Sequence, residues 1–172
     1  MQIRDATVAD ADAIARVHVA SWQAAYRGLL PDAVLDGLSV AESTQNWAER
    51  LAGTQPGAHI LVVEDEGVIG FAAFGTRPEG APGERHLWAM YLDPAQWGRG
   101  AGRPLHAAMV DRMHAAGVHS ATLWVLRGNE RAIRFYERAG WSFDGTSKLE
   151  VGPGGVELPV LLMRRPIGSD TT

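Results

Sequence analysis

The feature that most constrains this chain is a glycine-rich segment placed where a strand would hand over to a helix. The segment Trp97-Gly98-Arg99-Gly100-Ala101-Gly102 follows the apolar run 87–92 and precedes an amphipathic stretch. Glycine adopts positive φ and lets a ligand approach the backbone closely. The first turn of the following helix offers unpaired N–H groups and a partial positive charge. We therefore predict that this corner binds a phosphate group, with an exposed loop as the alternative.

Two familiar phosphate-binding motifs do not match this segment. A P-loop needs a Gly-Lys pair after its glycines, and none follows here. A dinucleotide fingerprint reads Gly-x-Gly-x-x-Gly, but its last position holds Arg103 when counted from Gly98 and Leu105 when counted from Gly100. A nucleoside triphosphate and a dinucleotide are therefore disfavoured as ligands.

The composition limits the classes of protein to which the chain can belong. Its 172 residues, 46% of them hydrophobic and 21% charged, are typical of one globular domain. The absence of cysteine removes disulfides, thiolate metal sites and a cysteine nucleophile, and no metal site is predicted. A net charge of −4 argues against nucleic acid as a partner. No segment approaches the ~20 apolar residues of a membrane span, and no secretory signal is evident, so we expect a cytoplasmic protein without a membrane partner.

The order of the elements predicts a mixed α/β sheet with helices on both faces. Helical patterns come first, an antiparallel hairpin turns at Asp65-Glu66-Gly67, and two strand–helix units follow. We expect a loop over 144–155, a single domain over 1–167 and a frayed tail over 168–172. The predicted strands are 2–6, 60–64, 68–74, 86–92, 121–126, 141–143 and 156–164, and the main predicted helices lie near 14–24, 39–51, 100–116 and 129–139.

A second motif follows the glycine segment after one helix and one strand. It reads Asn129-Glu130-Arg131-Ala132-Ile133-Arg134-Phe135-Tyr136, and Gly140-Trp141 closes it. In this order the two motifs resemble the GNAT acetyltransferase superfamily, whose members transfer an acetyl group from acetyl-CoA to an amine. The resemblance spans roughly 61–141. It implies a mostly antiparallel sheet of about seven strands with a splayed parallel pair.

The resemblance also implies how acetyl-CoA, the cosubstrate, would bind. Its pyrophosphate would lie on the amides of the glycine turn, with charge from Arg99 and Arg103. The pantetheine arm would pair with the strand edge at Met90 and Leu92, as an added strand does. Trp97 departs from the family, which usually has Gln or Arg there. The implied cofactor-binding residues are Met90, Tyr91, Leu92, Trp97, Gly98, Arg99, Gly100, Ala101, Gly102, Arg103, Asn129, Ala132 and Phe135.

Three residues are the candidates for catalysis. The resemblance assigns Tyr136 as the acid that protonates the leaving CoA thiolate; the alternative is a buried aromatic pair with Phe135. An ammonium with a pKa near ~10 must lose a proton before it attacks, so a base or a water relay is needed. Many family members place a glutamate where this chain has His86, and Glu84 lies two residues earlier. We expect His86, with Glu84 as the fallback, while a surface histidine remains the alternative.

The acceptor is a small-molecule amine in this interpretation, or a protein amine. Trp22, Tyr26 and Trp88 are the candidate substrate-binding aromatics, although Trp22 and Tyr26 also suit a helical core. The 156–164 strand could form an exposed edge, which would allow a homodimer. A non-catalytic acyl-CoA-binding partner domain is the competing function.

Overall fold

The computed structural model describes residues 1–53, 55 and 57–168, so positions 169–172 of the expected tail lie outside the described residues. Seven strands form one sheet in the order β1-β2-β3-β4-β5-β7-β6. The strands are β1 (Gln2–Asp5), β2 (His59–Glu64), β3 (Val68–Gly75), β4 (Glu84–Leu92), β5 (Ser120–Leu126), β6 (Ser142–Val151) and β7 (Glu157–Pro166), and the helices are α1 (Ala11–Ala25), α2 (Asp32–Asp36), α3 (Val40–Ala52), α4 (Gly102–Ala115) and α5 (Glu130–Arg138).

The sheet contains one parallel pair, formed by β4 and β5, and the other neighbours are antiparallel. This pair is short, because it joins only Glu84–Leu87 to Ser120–Leu123. Beyond Leu87 the two strands no longer pair, although both continue. The splayed pair and the mixed, mostly antiparallel sheet that the sequence predicts are therefore confirmed.

A β-bulge lies at the point where the two strands separate. Ala73 of β3 pairs with Ala89 and the next residue of β3 pairs with Leu87, so Trp88 is an extra residue on β4. A Cβ on Gly75 would lie 2.6 Å from the Trp88 ring, which means that the indole lies across this glycine. The bulge re-aims Trp88 and bends β4 at the start of the gap.

Each face of the sheet carries its own hydrophobic core. Helices α4 and α5 cover one face, where Leu105, Met109 and Ile133 pack against β4, β5 and β7. Helices α1 and α3 cover the other face, where Trp47 contacts Phe71. Helices on both faces agree with the prediction. Within the described part of the chain, no helix has the length and apolar character needed to cross a bilayer.

Two predictions about the C-terminal third are wrong. The stretch expected as a loop over 144–155 is mostly strand β6, which is exposed at every residue; polar and apolar side chains alternate over 148–151, but Gly145, Thr146 and Ser147 interrupt the pattern. Strand β7 lies between β5 and β6, so the 156–164 region is not a free edge, and β6 is the edge instead. The argument for a homodimer through 156–164 therefore fails, and the oligomeric state stays open.

Two leucines that differ in burial are expected to differ in their contribution to stability. Leu105 on α4 is fully buried, whereas Leu149 on β6 is 63% exposed. Replacing Leu105 by Ala leaves a cavity and is expected to lower the free energy of unfolding by about 2–5 kcal/mol. The same change at Leu149 should cost about 0.5 kcal/mol or less. Urea denaturation of both variants measures the difference, and equal losses would contradict this assignment of the core.

Candidate active site

The glycine turn connects β4 to α4 and uses its glycines for two different reasons. Gly98 and Gly100 have φ of +75° and +94°, and a Cβ at either would meet open space, so the backbone conformation is what requires glycine there. Gly102 starts α4 in close contact with a neighbour, because a Cβ there would lie 3.2 Å from the Phe135 ring. The motif therefore shapes an open turn and seats it tightly against α5.

The start of α4 has the features of an anion site. Ala101, at the N-cap position, provides no side-chain cap, so the first N–H groups of the helix are not satisfied by it. Arg99 and Arg103 are exposed, and neither forms an ion pair with any residue that the structure describes. Pro104 lies in the first turn, where its missing N–H is tolerated. This corner therefore offers backbone donors, a helix dipole and two unpaired cations.

Trp97 closes the turn with its side chain. Its Nε1 donates to the carbonyl oxygen of Leu92 at 3.0 Å, and the Arg131 guanidinium lies 3.3 Å above its ring. The Ser21 hydroxyl on α1 donates to the same carbonyl at 2.6 Å. Through the Leu92 carbonyl, the end of β4 is thus connected to α1 and to the glycine turn. The Trp97 side chain therefore has a structural role at this position and does not pair with phosphate.

The free edge of β4 faces the gap in the sheet. The Asp93 N–H donates to Ile69 on β3, so the backbone groups of Leu92 and Met90 face the other way by the alternation of a strand. The Leu92 carbonyl is occupied by Ser21 and Trp97. The N–H and C=O of Met90 and the N–H of Leu92 face a side on which β5 no longer pairs.

Helix α5 places the second motif beside the gap. Asn129 caps the helix, since its Oδ1 accepts from the Ala132 N–H at 3.4 Å. Phe135 lies between His106 and Tyr136, with ring centroids 5.9 and 5.4 Å away. The side-chain oxygen of Asn129 is therefore engaged within the protein, and only its amide N–H groups remain for a ligand.

The three tyrosines of the chain come together here. The hydroxyl oxygens of Tyr26 and Tyr91 are 3.3 Å apart. Burial, assisted by the nearby Tyr91, raises the pKa of Tyr136, and Arg131 opposes this shift. Tyr136 is therefore fully protonated at neutral pH.

The two candidate bases differ in their surroundings. His86 is buried, its Nδ1 lies 2.9 Å from the Thr122 hydroxyl, and burial lowers its pKa to about 3. Burial would raise the pKa of Glu84, but hydrogen bonds from Arg164 at 2.6 Å and Arg77 at 3.1 Å outweigh it and lower that pKa. His86 is thus a neutral imidazole, and Glu84 is a carboxylate held by two arginines.

A cleft of about 1300 Å³ opens on the α1 and α3 side of the sheet. Of the residues predicted for catalysis or substrate binding, Trp22, Trp88 and His86 line it, whereas Glu84, Tyr26 and Tyr136 do not. Tyr91, predicted to bind the cofactor, also lines this cleft. Tyr26 is instead buried behind Tyr91. The sequence analysis missed several lining residues: His18, Trp47 and Arg50 on the helices, Trp124 on β5, and Lys148 and Glu150 on β6. Lys148 stacks on Trp124, with its Nζ 4.4 Å from the ring centroid.

The chain is similar to known proteins in sequence and in fold. Residues 20–141 match the family model described as the acetyltransferase (GNAT) family. The uncharacterized N-acetyltransferase YuaI of Bacillus subtilis (strain 168) is 33% identical over 92% of this chain and 95% of its own length. The L-amino acid N-acyltransferase MnaT of Escherichia coli (strain K12) is 30% identical over 82% of this chain and 79% of its own. Among solved structures, the PaiA N-acetyltransferase of Thermoplasma acidophilum in complex with coenzyme A has a TM-score of 0.75 at 20% identity, covering 96% of this chain and 98% of that chain.

The mixed α/β sheet, whose parallel strands β4 and β5 separate beyond Leu87, and the site beside them thus define an acyltransferase. The chain belongs to the GNAT acetyltransferase family. Its enzyme class is that of the acetyl-CoA-dependent N-acetyltransferases, as the sequence predicts. The acceptor and the roles of individual residues stay predictions.

Three buried histidines predict how stability depends on pH. Burial lowers the pKa of His18 and His106 to about 4 and that of His86 to about 3. In the unfolded chain each titrates near ~6.5, so below that pH the unfolded state binds protons that the folded state excludes. Stability should therefore be complete above about pH 6.5 and fall as the pH drops toward 4, by up to about 1.4 kcal/mol per unit for each histidine.

Thermal denaturation between pH 7.5 and 4.5 measures this dependence. His106 accepts a hydrogen bond from the Trp141 indole at 2.9 Å, and glutamine can also accept one. His106→Gln should therefore flatten the pH slope, whereas His114→Gln, at an exposed position on α4, should leave it unchanged. A melting temperature that stays constant over this range would rule out the burial of neutral histidines.

Proposed function

We propose that this protein transfers the acetyl group of acetyl-CoA to the primary amine of a small molecule, by direct attack within a ternary complex. The observation that carries the proposal is the gap between β4 and β5 beyond Leu87. The glycine turn and Tyr136 border it from the α4 and α5 side, and the large cleft approaches it from the other side. An acyl donor and an amine could therefore meet through the sheet.

The cosubstrate is held mainly by backbone groups in this proposal. The pyrophosphate binds N–H groups of 98–103 other than that of Arg99, which already donates to the Gln96 carbonyl, and the Arg99 and Arg103 side chains add charge. The pantetheine arm follows the free edge of β4 and uses the C=O of Met90 and the N–H of Leu92, because the Leu92 carbonyl is already occupied and the Met90 N–H is left for the oxyanion. Phe135 and Ala132 form the apolar wall, and an amide N–H of Asn129 contacts the arm. The complex of the PaiA neighbour with coenzyme A supports this choice of cosubstrate.

Tyr136 acts as the acid in the proposed reaction. The amine nitrogen forms a bond to the thioester carbon, and the Met90 N–H donates a hydrogen bond to the developing oxyanion. The carbon–sulfur bond then breaks, and the phenol of Tyr136 gives its proton to the sulfur. Its raised pKa keeps that proton available at every physiological pH. The chain contains no cysteine, so no acyl-cysteine intermediate enters the scheme.

His86 takes part in removing the amine proton without becoming a strong base. An imidazole whose conjugate acid has a pKa of about 3 is too weak a base to deprotonate directly an ammonium with a pKa near ~10. Instead, we assign neutral His86, oriented by Thr122, to accept a hydrogen bond from the nucleophile or from a water that carries the proton to solvent. Entry into the partly desolvated cleft also lowers the pKa of the amine. Glu84 holds Arg77 and Arg164 in place and serves as a positioning residue.

A relative and the size of the cleft both support a small-molecule acceptor. The name of MnaT gives L-amino acids as what it acylates, which favours a small amine over a protein chain. The cleft volume of about 1300 Å³ is ample for such a molecule. Trp22 and Trp88 form part of its wall, while Tyr26 acts from behind Tyr91. We expect the reaction in the cytoplasm.

Calorimetric titration with acetyl-CoA, with ATP as the control, tests the cosubstrate. Because the glycine turn offers hydrogen-bond donors to a pyrophosphate and the edge of β4 can pair with a pantetheine arm, we expect micromolar binding of acetyl-CoA and no binding of ATP. Arg103→Ala should weaken acetyl-CoA binding by about 10- to 150-fold, because a charge-assisted contact is worth about 1.5–3 kcal/mol. Exposed Arg134 on α5, changed to Ala, serves as the matched control. Absence of acetyl-CoA binding would overturn the proposal.

The Tyr136→Phe variant separates the enzyme from a non-catalytic CoA-binding domain. Removing one hydroxyl from a buried ring preserves the packing but deletes the proton donor. We expect the turnover number, measured by the release of free CoA thiol, to fall by about 10²–10⁴-fold while the acetyl-CoA affinity is retained. Unchanged turnover would remove Tyr136 from the mechanism. Binding without turnover of any amine by the wild type would favour the partner domain.

A further inference from the structure

The acceptor cleft continues into a second cavity between the helices. This helical pocket of about 640 Å³ is bounded by α1, α2 and α3 and by the turn at Pro153-Gly154. Apolar side chains such as Val19, Val34 and Leu38 line it. The two cavities share five lining residues, which we call the neck: His18, Trp22, Asn46, Trp47 and Arg50.

The neck presents N–H donors that the protein itself leaves unused. The Trp47 indole donates to Nδ1 of His18 at 3.2 Å, so the proton of the neutral His18 ring must reside on Nε2. The buried N–H of Trp22 makes only a weak contact with the Tyr91 hydroxyl, and within the described residues it has no hydrogen bond of good geometry. An unsatisfied buried donor is uncommon in a native protein and calls for a ligand or a water.

The neck also carries an unpaired cation. The Arg50 guanidinium lies 5.2 Å from the centroid of the Trp47 ring, and it forms no ion pair with a residue that the structure describes. By contrast, Arg77 at the other end of the cleft is held by Glu84 and Glu79. An arginine stacked on an aromatic ring is well suited to recognise a carboxylate.

Other charged groups of the two cavities do not cancel this local charge. Lys148 is placed over Trp124, and the carboxylates of Glu42, Glu49, Glu79 and Glu150 belong to exposed residues that face one cavity or the other. None of these carboxylates pairs with Arg50 among the described residues. The neck is therefore the place in the cleft where donors and a free positive charge coincide.

We propose that the neck binds the carboxylate of an α-amino acid acceptor, whose apolar side chain enters the helical pocket. This inference rests on the proposed function and narrows its substrate class. Arg50 and the N–H of His18 are the anion-binding groups, and the Trp22 N–H lies beside them. A polyamine or an aminoglycoside would instead bring cations to this arginine.

The geometry of an α-amino acid suits the position of the neck. Its amine is only two bonds from the carboxylate carbon, so a carboxylate at the neck keeps the nitrogen close by. The His18 ring stacks on Tyr91 with centroids 5.2 Å apart, and Tyr91 lies on β4 next to Met90. The amine would therefore stay beside the part of β4 that borders the gap.

A comparison of L-leucine with L-leucinamide tests the carboxylate directly. The ratio of their kcat/KM values is measured for wild type, for Arg50→Gln and for the control Arg16→Gln, an exposed arginine of α1 that pairs with Asp12. Amines of different pKa react at different rates, but that factor cancels when the ratios of two enzymes are compared. Arg50→Gln should lower the leucine-to-leucinamide ratio by about tenfold or more, mainly through KM, and Arg16→Gln should leave it unchanged.

A binding measurement separates this inference from the proposed function. Leucine is titrated against each protein in the presence of CoA, and tryptophan fluorescence is recorded, since Trp22 and Trp47 lie at the neck. Leucine binding that is lost in Arg50→Gln supports the subsite even if no amine is acetylated, and the failure would then belong to the proposed function. An unchanged ratio or unchanged binding in Arg50→Gln, or a preference for spermidine over leucine, overturns the inference.

Discussion

The early end of the β4–β5 pairing is the constraint on which the rest of the site depends. Buried backbone N–H and C=O groups must find partners, and the groups of β4 beyond Leu87 that face away from β3 have no neighbouring strand. The gap is held open from both sides. Strand β5 is bonded to β7 along Ser120–Leu126, and the end of β4 is tied to Ser21 and Trp97 through the Leu92 carbonyl. The opening is thus built into the fold, and an extended ligand can supply the missing partner.

Burial around this gap determines the protonation states of the site. The same desolvation that keeps Tyr136 protonated keeps His86 neutral, because the charged form of either side chain would lose its hydration. Glu84 escapes this effect only because two arginines stabilise its charge. A site of this kind handles protons through neutral hydrogen-bonding groups and water more readily than through a strong base.

Features formed by residues that are close together in the chain could be predicted from the sequence, whereas features formed by distant residues could not. The glycine turn and the Asn129–Tyr136 motif were located correctly because a strand–turn–helix unit positions them within a few residues. Strand β6 was missed because its alternation of polar and apolar residues covers only 148–151 and is interrupted before that by Gly145, Thr146 and Ser147. His18 and Arg50 were missed because they lie on α1 and α3, far along the chain from the motifs. A local signal for His18 does exist, because it is a polar residue among the buried apolar residues of α1 and therefore needs a hydrogen-bond partner.

The sequence by itself determined the family and the order of the elements, and it located the glycine turn and the candidate acid for which we propose roles, because each rests on backbone conformation or on closely spaced residues. Only the tertiary structure decided that Glu84 is held by Arg77 and Arg164, that Trp97 seals the turn with its indole, and that two cavities meet at Arg50. These contacts join residues from different elements. They arise from packing across the sheet and between helices, which local periodicity does not encode.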